Sequence, residues 1–132
     1  MEQQLKSKSR IITERIIIGI VAIIVIGSAI YKLVSDVDSD GAKNFMKWGL
    51  ENQIKLIGTI ELILGILFLI PRTFSAGVLL LTAYFGGAIA THIEHGEANN
   101  IVLPAIILLL IWIVSYLRNP AMFASLLKNK IF

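Results

Sequence analysis

Four long apolar runs, separated by short polar segments, dominate the pattern of hydrophobic and polar positions along this chain. The runs cover residues 16–34, 53–71, 74–93 and 101–117. Each has close to the roughly 20 residues that an α-helix needs to cross the hydrocarbon core of a bilayer. No segment shows the period-two alternation of a half-buried strand. The pattern therefore predicts an all-α fold with four transmembrane helices.

The connections between the runs are short, so consecutive helices are expected to be antiparallel neighbours in an up-down bundle that forms a single membrane domain. Phe45, Met46 and Trp48 in the first connection predict a brief surface helix, with Ser39 or Asp40 as its N-cap. The apolar and basic segment after Pro120 is too short to span and predicts a second interfacial helix.

The composition supports a membrane location. Of the 132 residues, 56% are hydrophobic and 16% are charged, whereas a soluble domain has about 45–50% apolar and about 25% charged residues. The chain has no cysteine, which excludes disulfides and thiolate-bound iron–sulfur clusters. The net charge of +3 comes without interleaved aromatic and basic residues, so no nucleic-acid partner is predicted. The expected partners are the lipid bilayer and other membrane proteins, or further copies of the chain.

The distribution of Lys and Arg predicts the orientation. Positive residues collect on the cytoplasmic side of membrane proteins. With the four runs as antiparallel spans, one side carries eight of these residues and the other side four, the latter being Lys32, Lys43, Lys47 and Lys55. Both termini are therefore predicted to be cytoplasmic, in a multi-pass protein of the cell membrane. A cleaved signal peptide is the alternative for the first run, because Gly27 and Ala29 have cleavage-like spacing, but the run continues to Val34 and favours an uncleaved span.

Small residues predict where the helices approach closely. Membrane helices associate through small side chains that allow tight contact. Gly58 and Gly65 share one face of the second run with Glu61, and Ala83 and Gly87 form a stripe on the third run. The second and third helices are therefore predicted to be the tightest pair.

Glu61 is the most informative residue because it lies near the middle of an apolar run. A carboxyl group at this depth is costly and usually faces the interior of a bundle. Two interpretations remain open: a proton-coupled, substrate-binding or quinone-binding group, or a neutral acid that fixes helix packing by hydrogen bonds. Its expected neighbours, judged from their depth along each run, are Ser28, Thr82 and Tyr84. Trp112 lies about one turn from the midpoint of the fourth run.

His92 and His95 lie at the loop end of the third run, beside Glu94 and Glu97. They could accept protons at the mouth of a site or simply cap a helix at the membrane surface. No third ligand has diagnostic spacing, so no metal is predicted. The acidic segment 36–40 opens like a calcium loop, but its twelfth position is Lys47 rather than a glutamate, which favours a solvated loop.

Several short motifs occur in an order that resembles the DoxX-like family of small four-helix membrane proteins. They are the 45–50 segment FMKWGL, the Gly58–Glu61–Gly65 helix, the third run from Gly77 through Tyr84 and Gly87 to His92, and the Trp112 to Arg118 ending. Glu51 stands where the family usually has proline. The resemblance implies a four-span protein in which Glu61 and His92 match the family's polar membrane residues. It also implies a link to quinone-reducing oxidoreductases or to the assembly of other membrane proteins.

Three functions are compatible with these observations, and no catalytic residue is identified. The first is a non-enzymatic accessory or assembly subunit that packs against other membrane proteins, with no cofactor of its own. The second is a quinone-associated subunit of a membrane oxidoreductase, with Glu61, Tyr84 and Trp112 lining an apolar cleft and His92 at its mouth. The third is a small proton-coupled transporter, which would need an oligomer because four spans leave little room for alternating access.

Overall fold

A computed structural model describes residues 7–35 and 39–128, all in helices, turns and short connections. Four segments are long and apolar enough to cross a membrane: Lys8–Val34, Glu51–Leu69, Phe74–Glu94 and Ala98–Arg118. This confirms the predicted all-α fold with four spanning helices. Lys6, Asp36, Asp38 and Lys130, which enter the charge and calcium-loop arguments, lie outside the described residues, as do the last four residues of the predicted tail helix.

The helices follow one another in a simple order. They are α1 (Lys8–Val34), α2 (Asp40–Lys47), α3 (Ile54–Leu69), α4 (Phe74–Glu94), α5 (Val102–Arg118) and α6 (Pro120–Lys128), with 3-10 turns at Glu51–Gln53 and Ala98–Ile101. We call the end with the start of α1, the 70–73 turn and the end of α5 the terminal half. We call the end with α2 and the 95–101 connection the loop half.

Helix α1 begins two turns before the apolar run does. The Ser7 hydroxyl accepts a hydrogen bond from the Arg10 backbone N–H at 3.2 Å and caps the helix. Residues 8–15 include the charged residues Lys8, Arg10, Glu14 and Arg15, which are good helix formers but lower the hydropathy, so α1 extends beyond the apolar run. Glu14, one of these residues, is 8% exposed and lies 3.5 Å from Arg118 at the end of α5.

The predicted surface helix in the first connection is present as α2. Its N-cap is Ser39, whose hydroxyl accepts from the Ala42 backbone N–H. It ends in a left-handed Gly49, where Gly49 N–H donates to Met46 O and Leu50 N–H donates to Phe45 O. This pair of bonds satisfies the last carbonyls of the helix and turns the chain toward α3.

The face of α3 that carries Gly58 and Gly65 packs against α1. The prediction that these glycines contact the third spanning helix, α4, is therefore wrong. A Cβ atom on Gly58 would lie 2.9 Å from Lys32 Cβ and 3.1 Å from the Ala29 carbonyl oxygen. A Cβ atom on Gly65 would lie 2.9 Å from Ile26 Cγ1. Both glycines therefore let α1 approach α3 closely.

Helices α3 and α4 do touch, but through a different glycine. A Cβ atom on Gly77 would lie 2.7 Å from the Phe68 backbone nitrogen. Ala83 and Gly87 are exposed, and a Cβ atom on Gly87 would meet nothing within 4 Å. The short 70–73 turn brings the two helices together near its own end, and the predicted stripe on α4 lies on another face.

The apolar core fills the terminal half and the middle of the bundle, with contributions from all four spans. Its buried members are Val21, Val25, Leu64, Phe68, Phe74, Val78, Leu81, Phe85, Ile107, Ile111 and Val114. Within an apolar stretch of 18 residues in each spanning segment, only 22% to 33% of the residues are buried inside the chain. The outer faces therefore present apolar side chains such as Ile23 and Leu109, as expected where lipid is the solvent.

Candidate functional site

A buried ion pair lies at the boundary between the core and the loop half. Glu61, in the middle of the second span, is 2% exposed, and its Oε2 atom lies 2.6 Å from Lys32 Nζ. The Lys32 ammonium also donates to Ser28 Oγ, one turn earlier on α1, at 2.6 Å. Glu61 is therefore paired with a cation from another helix, and Ser28 holds that cation from the other side.

The close α1–α3 contact makes this pairing possible. Gly58 lies one turn from Glu61 on the same face of α3, directly against the Lys32 Cβ atom. Without a side chain at Gly58, the aliphatic stem of Lys32 lies along α3 and carries the ammonium deeper, to the level of Glu61. A larger residue at position 58 would push the two helices apart at this level.

Tyr84 approaches the ion pair from α4. Its hydroxyl lies beside the Glu61 carboxylate, and both residues line one cavity of about 350 Å³. Most of the remaining lining is apolar and comes from α1, α2, α4 and α5. It includes Ile24, Val25, Phe45, Trp48, Phe85, Ala88, Leu103, Pro104 and Ile107. A mostly apolar cavity thus brings together four polar groups, those of Ser28, Lys32, Glu61 and Tyr84.

Helix α2 covers the cavity on the loop side. The Tyr31 hydroxyl at the end of α1 accepts a hydrogen bond from the Gly41 backbone N–H at 3.3 Å, which attaches α2 to α1. Trp48, the C-cap of α2, stands edge-on to the His92 ring, with centroids 5.0 Å apart and planes at 89°. Phe45 packs edge-on against Trp48 in turn. The cover is an aromatic cluster and not a polar loop.

His92 lies in the last turn of α4 and lines the cavity from its loop side. The helix ends in a left-handed Gly96, after which Glu97 N–H donates to His92 O at 2.8 Å. The same fold-back places Glu97 Oε2 3.0 Å from His92 Nδ1. Since a carboxylate only accepts hydrogen bonds, Nδ1 is the donor in this contact, and a neutral His92 ring keeps Nε2 as an acceptor.

The His92–Glu97 contact also changes the acidity of Glu97. The hydrogen bond from His92 holds the pKa of the Glu97 carboxyl below its usual range, against a smaller opposing effect of desolvation. Asn100 and Trp48 contribute to the same lowering. Trp48 Nε1 is itself buried beside this contact.

A second cavity of about 230 Å³ adjoins the first. Phe45, Trp48, Tyr84, Ala88 and His92 line both. The rest of its wall is Leu50, Ile57, Gly87 and Thr91. It therefore lies between α3 and α4 in the loop half, beside the aromatic cluster.

The predicted site residues fall into two groups. Glu61, Tyr84, Ser28 and His92 line the same cavity. Thr82 and Trp112 do not line it; instead the Trp112 Nε1–H donates to Thr82 Oγ1 at 3.0 Å, and Thr82 donates to Val78 O. Equal depth placed Thr82 near Glu61 in the prediction, but its side chain points to α5.

Sequence reasoning missed Lys32 as a site residue. We assigned it to the surface charges of the first connection because it lies two residues before the end of α1. Two signals could have identified it: Ser28 and Lys32 share a helix face at i, i+4 spacing, and a buried carboxylate needs a cation or a donor. Its long side chain spans the difference in depth.

No group of three or more His, Asp and Glu side chains lies together within residues 7–35 and 39–128 in a way that could hold a metal ion. The cavity groups can instead donate and accept hydrogen bonds. An ammonium has three donors, two of which bind Ser28 and Glu61. The Tyr84 hydroxyl and the His92 ring add further capacity around the same space.

The comparison with known protein families matches residues 16–114 to the DoxX-like family. The chain belongs to the DoxX-like family. No curated protein and no solved structure matches this DoxX-like protein significantly. Among the described residues, all those that line the two cavities fall in the matched range, so the site lies within the family's shared region.

Proposed function

We propose that this DoxX-like protein is a non-enzymatic accessory subunit of the membrane that binds a small, largely apolar ligand of the quinone class. The observation that carries the proposal is the cavity itself: an apolar space of about 350 Å³ with Lys32, Glu61 and Tyr84 converging on one side. Ligand sites in proteins typically combine an apolar lining with a few polar groups that orient the ligand.

The polar groups favour a ligand with a hydrogen-bonding head and no charge. A quinone ring is flat, apolar on its faces and carries two carbonyl acceptors. The third N–H of Lys32 is suited to one carbonyl of a quinone. His92, across the cavity, keeps Nε2 as an acceptor and is suited to the hydroxyl of the reduced quinol. A charged head would have to compete with the Lys32–Glu61 pair.

An accessory role is supported by the shape of the chain. Nearly all described residues belong to the four spans and the two short helices, so the polar groups of the site lie inside the helix bundle. The dense core between the ion pair and the terminal half closes the far side of the cavity. This arrangement favours a binding protein over a transporter that works as a single copy.

The first test of this proposal is identification of what accompanies the purified full chain. Mild-detergent purification followed by solvent extraction and mass spectrometry should recover a quinone at a stoichiometry near one per chain, together with a larger membrane-protein partner. Recovery of the chain alone, free of both, would contradict the proposal.

The second test is direct titration with a benzoquinone bearing a decyl tail. The double variant Lys32→Met/Glu61→Leu removes both charges without leaving one unpaired, and we expect it to weaken binding about tenfold or more, which corresponds to about 1.4 kcal/mol. The matched control is Lys55→Met, because Lys55 bonds to the Leu33 carbonyl at the surface and lines neither cavity. Equal affinities in the double variant and the control would count against the assigned site.

A further inference from the structure

The second cavity has the features of a subsite that faces the bilayer. Its wall is apolar apart from Thr91, His92, the Tyr84 hydroxyl and the Trp48 Nε1–H. The Thr91 hydroxyl donates to its own helix at Gly87 O, 2.9 Å away, which satisfies it without a ligand. A wall that is mostly apolar suits contact with lipid or with the apolar tail of a ligand.

An opening at Gly87 connects this cavity to the outside of the bundle. Gly87 lines the cavity, is exposed, and has nothing within 4 Å of where a side chain would begin. Ile57 of α3 is on the facing wall. The gap between α3 and α4 is therefore open at this level, whereas near the 70–73 turn Gly77 lets the same helices touch.

The route from the aqueous side is more obstructed. There, α2 is attached to α1 by the Tyr31–Gly41 hydrogen bond, and Trp48 stands against His92. A ligand arriving from water would have to displace this aromatic cover. A ligand arriving through the α3–α4 gap would meet the edge of the aromatic cluster, which borders both cavities.

We propose that the second cavity is both the tail-binding subsite and the access path of the site. An amphiphile dissolved in the membrane enters sideways between α3 and α4 at Gly87. It places its polar head at Lys32 and Glu61 and leaves its apolar tail in the second cavity. This inference rests on the proposed ligand-binding function. It adds that the ligand must carry an apolar tail and that the bilayer, not the aqueous phase, supplies it.

Trp48 provides the readout for a test, because it borders both cavities and the chain has only one other tryptophan. In a Trp112→Phe background the full chain, reconstituted in phospholipid vesicles, reports binding through quenching of Trp48 fluorescence by a benzoquinone. Two probes are used: a benzoquinone with a decyl tail, and the same benzoquinone without a tail. Concentrations are expressed per lipid, so that partitioning into the membrane does not enter the comparison.

Gly87→Leu fills the opening, and Gly86→Leu is its matched control, since Gly86 is also exposed with open space around it but lines neither cavity. We expect Gly87→Leu to slow association of the tailed probe about tenfold or more and to remove its affinity advantage over the tail-less probe, an advantage expected to be about tenfold in the parent. Gly86→Leu should leave both quantities within about twofold of the parent.

The outcomes separate the two proposals. Equal association rates in Gly87→Leu and Gly86→Leu, with saturable quenching in the parent, would overturn the lateral path and leave the proposed ligand-binding function standing. Equal affinities of the two probes in the parent would overturn the tail subsite. An absence of saturable quenching in the parent would overturn both proposals, and retained helicity of each variant would show that the comparison concerns folded protein.

Discussion

The terminal half of the bundle is filled with apolar side chains, whereas the loop half surrounds two cavities and a buried ion pair. In the terminal half Phe68, Val78 and Ile111 are fully buried, and polar residues there bond locally or to one neighbour, as Ser115 does to the Ile111 carbonyl. Charged groups such as Glu14 and Arg118 meet at its rim.

The loop half differs because polar side chains from different spans converge inside it. Lys32 and Glu61 come from two helices. Glu61 is buried and Lys32 is partly buried, with 13% of its side chain exposed, and removing these charges from water has a desolvation cost that the pairing offsets only in part. Replacement of such an ion pair by well-packed apolar side chains of similar volume often leaves a protein as stable as before or more stable. The contrast teaches that this half is not optimised for packing, which is why we place the site there.

The largest expected effect breaks the ion pair. Glu61→Leu leaves the partly buried Lys32 ammonium without its carboxylate, and we expect it to lower the free energy of unfolding by about 3 kcal/mol, at the lower end of the range for a broken buried pair. The measurement is denaturant-induced loss of helicity in detergent micelles. Adding Lys32→Met to Glu61→Leu should restore most of the stability, and Glu51→Leu, at an exposed position outside the cavities, is the control. A single variant as stable as the double variant would show that the pair carries no buried charge.

The next effect concerns the tightest contact of the terminal half. Gly77→Ala places a methyl group against the Phe68 backbone, which can only yield by moving α4 away from α3. We expect a loss of about 1–3 kcal/mol in the same unfolding experiment. Gly86→Ala, in the same helix with open space around it, should be neutral or slightly stabilising because alanine favours helix. Similar behaviour of the two variants would argue against the α3–α4 contact at Gly77.

A smaller effect tests whether polar groups of the terminal half are structural. Trp112→Phe removes the hydrogen bond to Thr82, and we expect a loss of about 0.5–1.5 kcal/mol with no change in affinity for the tailed benzoquinone. Thr82→Val should cost a similar amount, and the double variant less than the sum of the two, since both remove one bond. A marked loss of quinone affinity in Trp112→Phe would extend the site beyond the cavity half.

The smallest effect concerns pH at the loop-side rim. Because the pKa of Glu97 is lowered in the folded protein, its ionised form contributes stability at pH values above the ordinary glutamate range. That contribution is lost as the pH falls through the lowered folded value. Trp48 fluorescence in the Trp112→Phe background should therefore change at acid pH as the His92–Glu97 contact weakens. Glu97→Gln should abolish this transition and Glu94→Gln should not; a transition that persists in Glu97→Gln would assign it to another group.

Much of the architecture could be predicted from the sequence because each signal depends only on the residues within one segment of the chain. The four spans follow from about 20 apolar residues in each run, and the α2 helix follows from Ser39 and the residues after it. Glu61 stood out because one carboxyl in an apolar run is costly wherever the helix lies. Tyr84, Ser28 and His92 could be placed near it because depth follows from the rise per residue.

The remaining features depend on which helices are neighbours and how each is rotated about its axis. Glycines at positions 58 and 65 show that α3 can be approached closely, but not that α1 is the helix that does so. Thr82 shares the depth of Glu61 and yet faces Trp112. The sequence by itself therefore determined the spans, the family and the costly buried acid. Only the tertiary structure decided that Lys32 pairs with Glu61 and where the cavities lie. The reason is that side-chain contacts between helices depend on the rotation and lateral position of each helix, which a one-dimensional pattern does not contain.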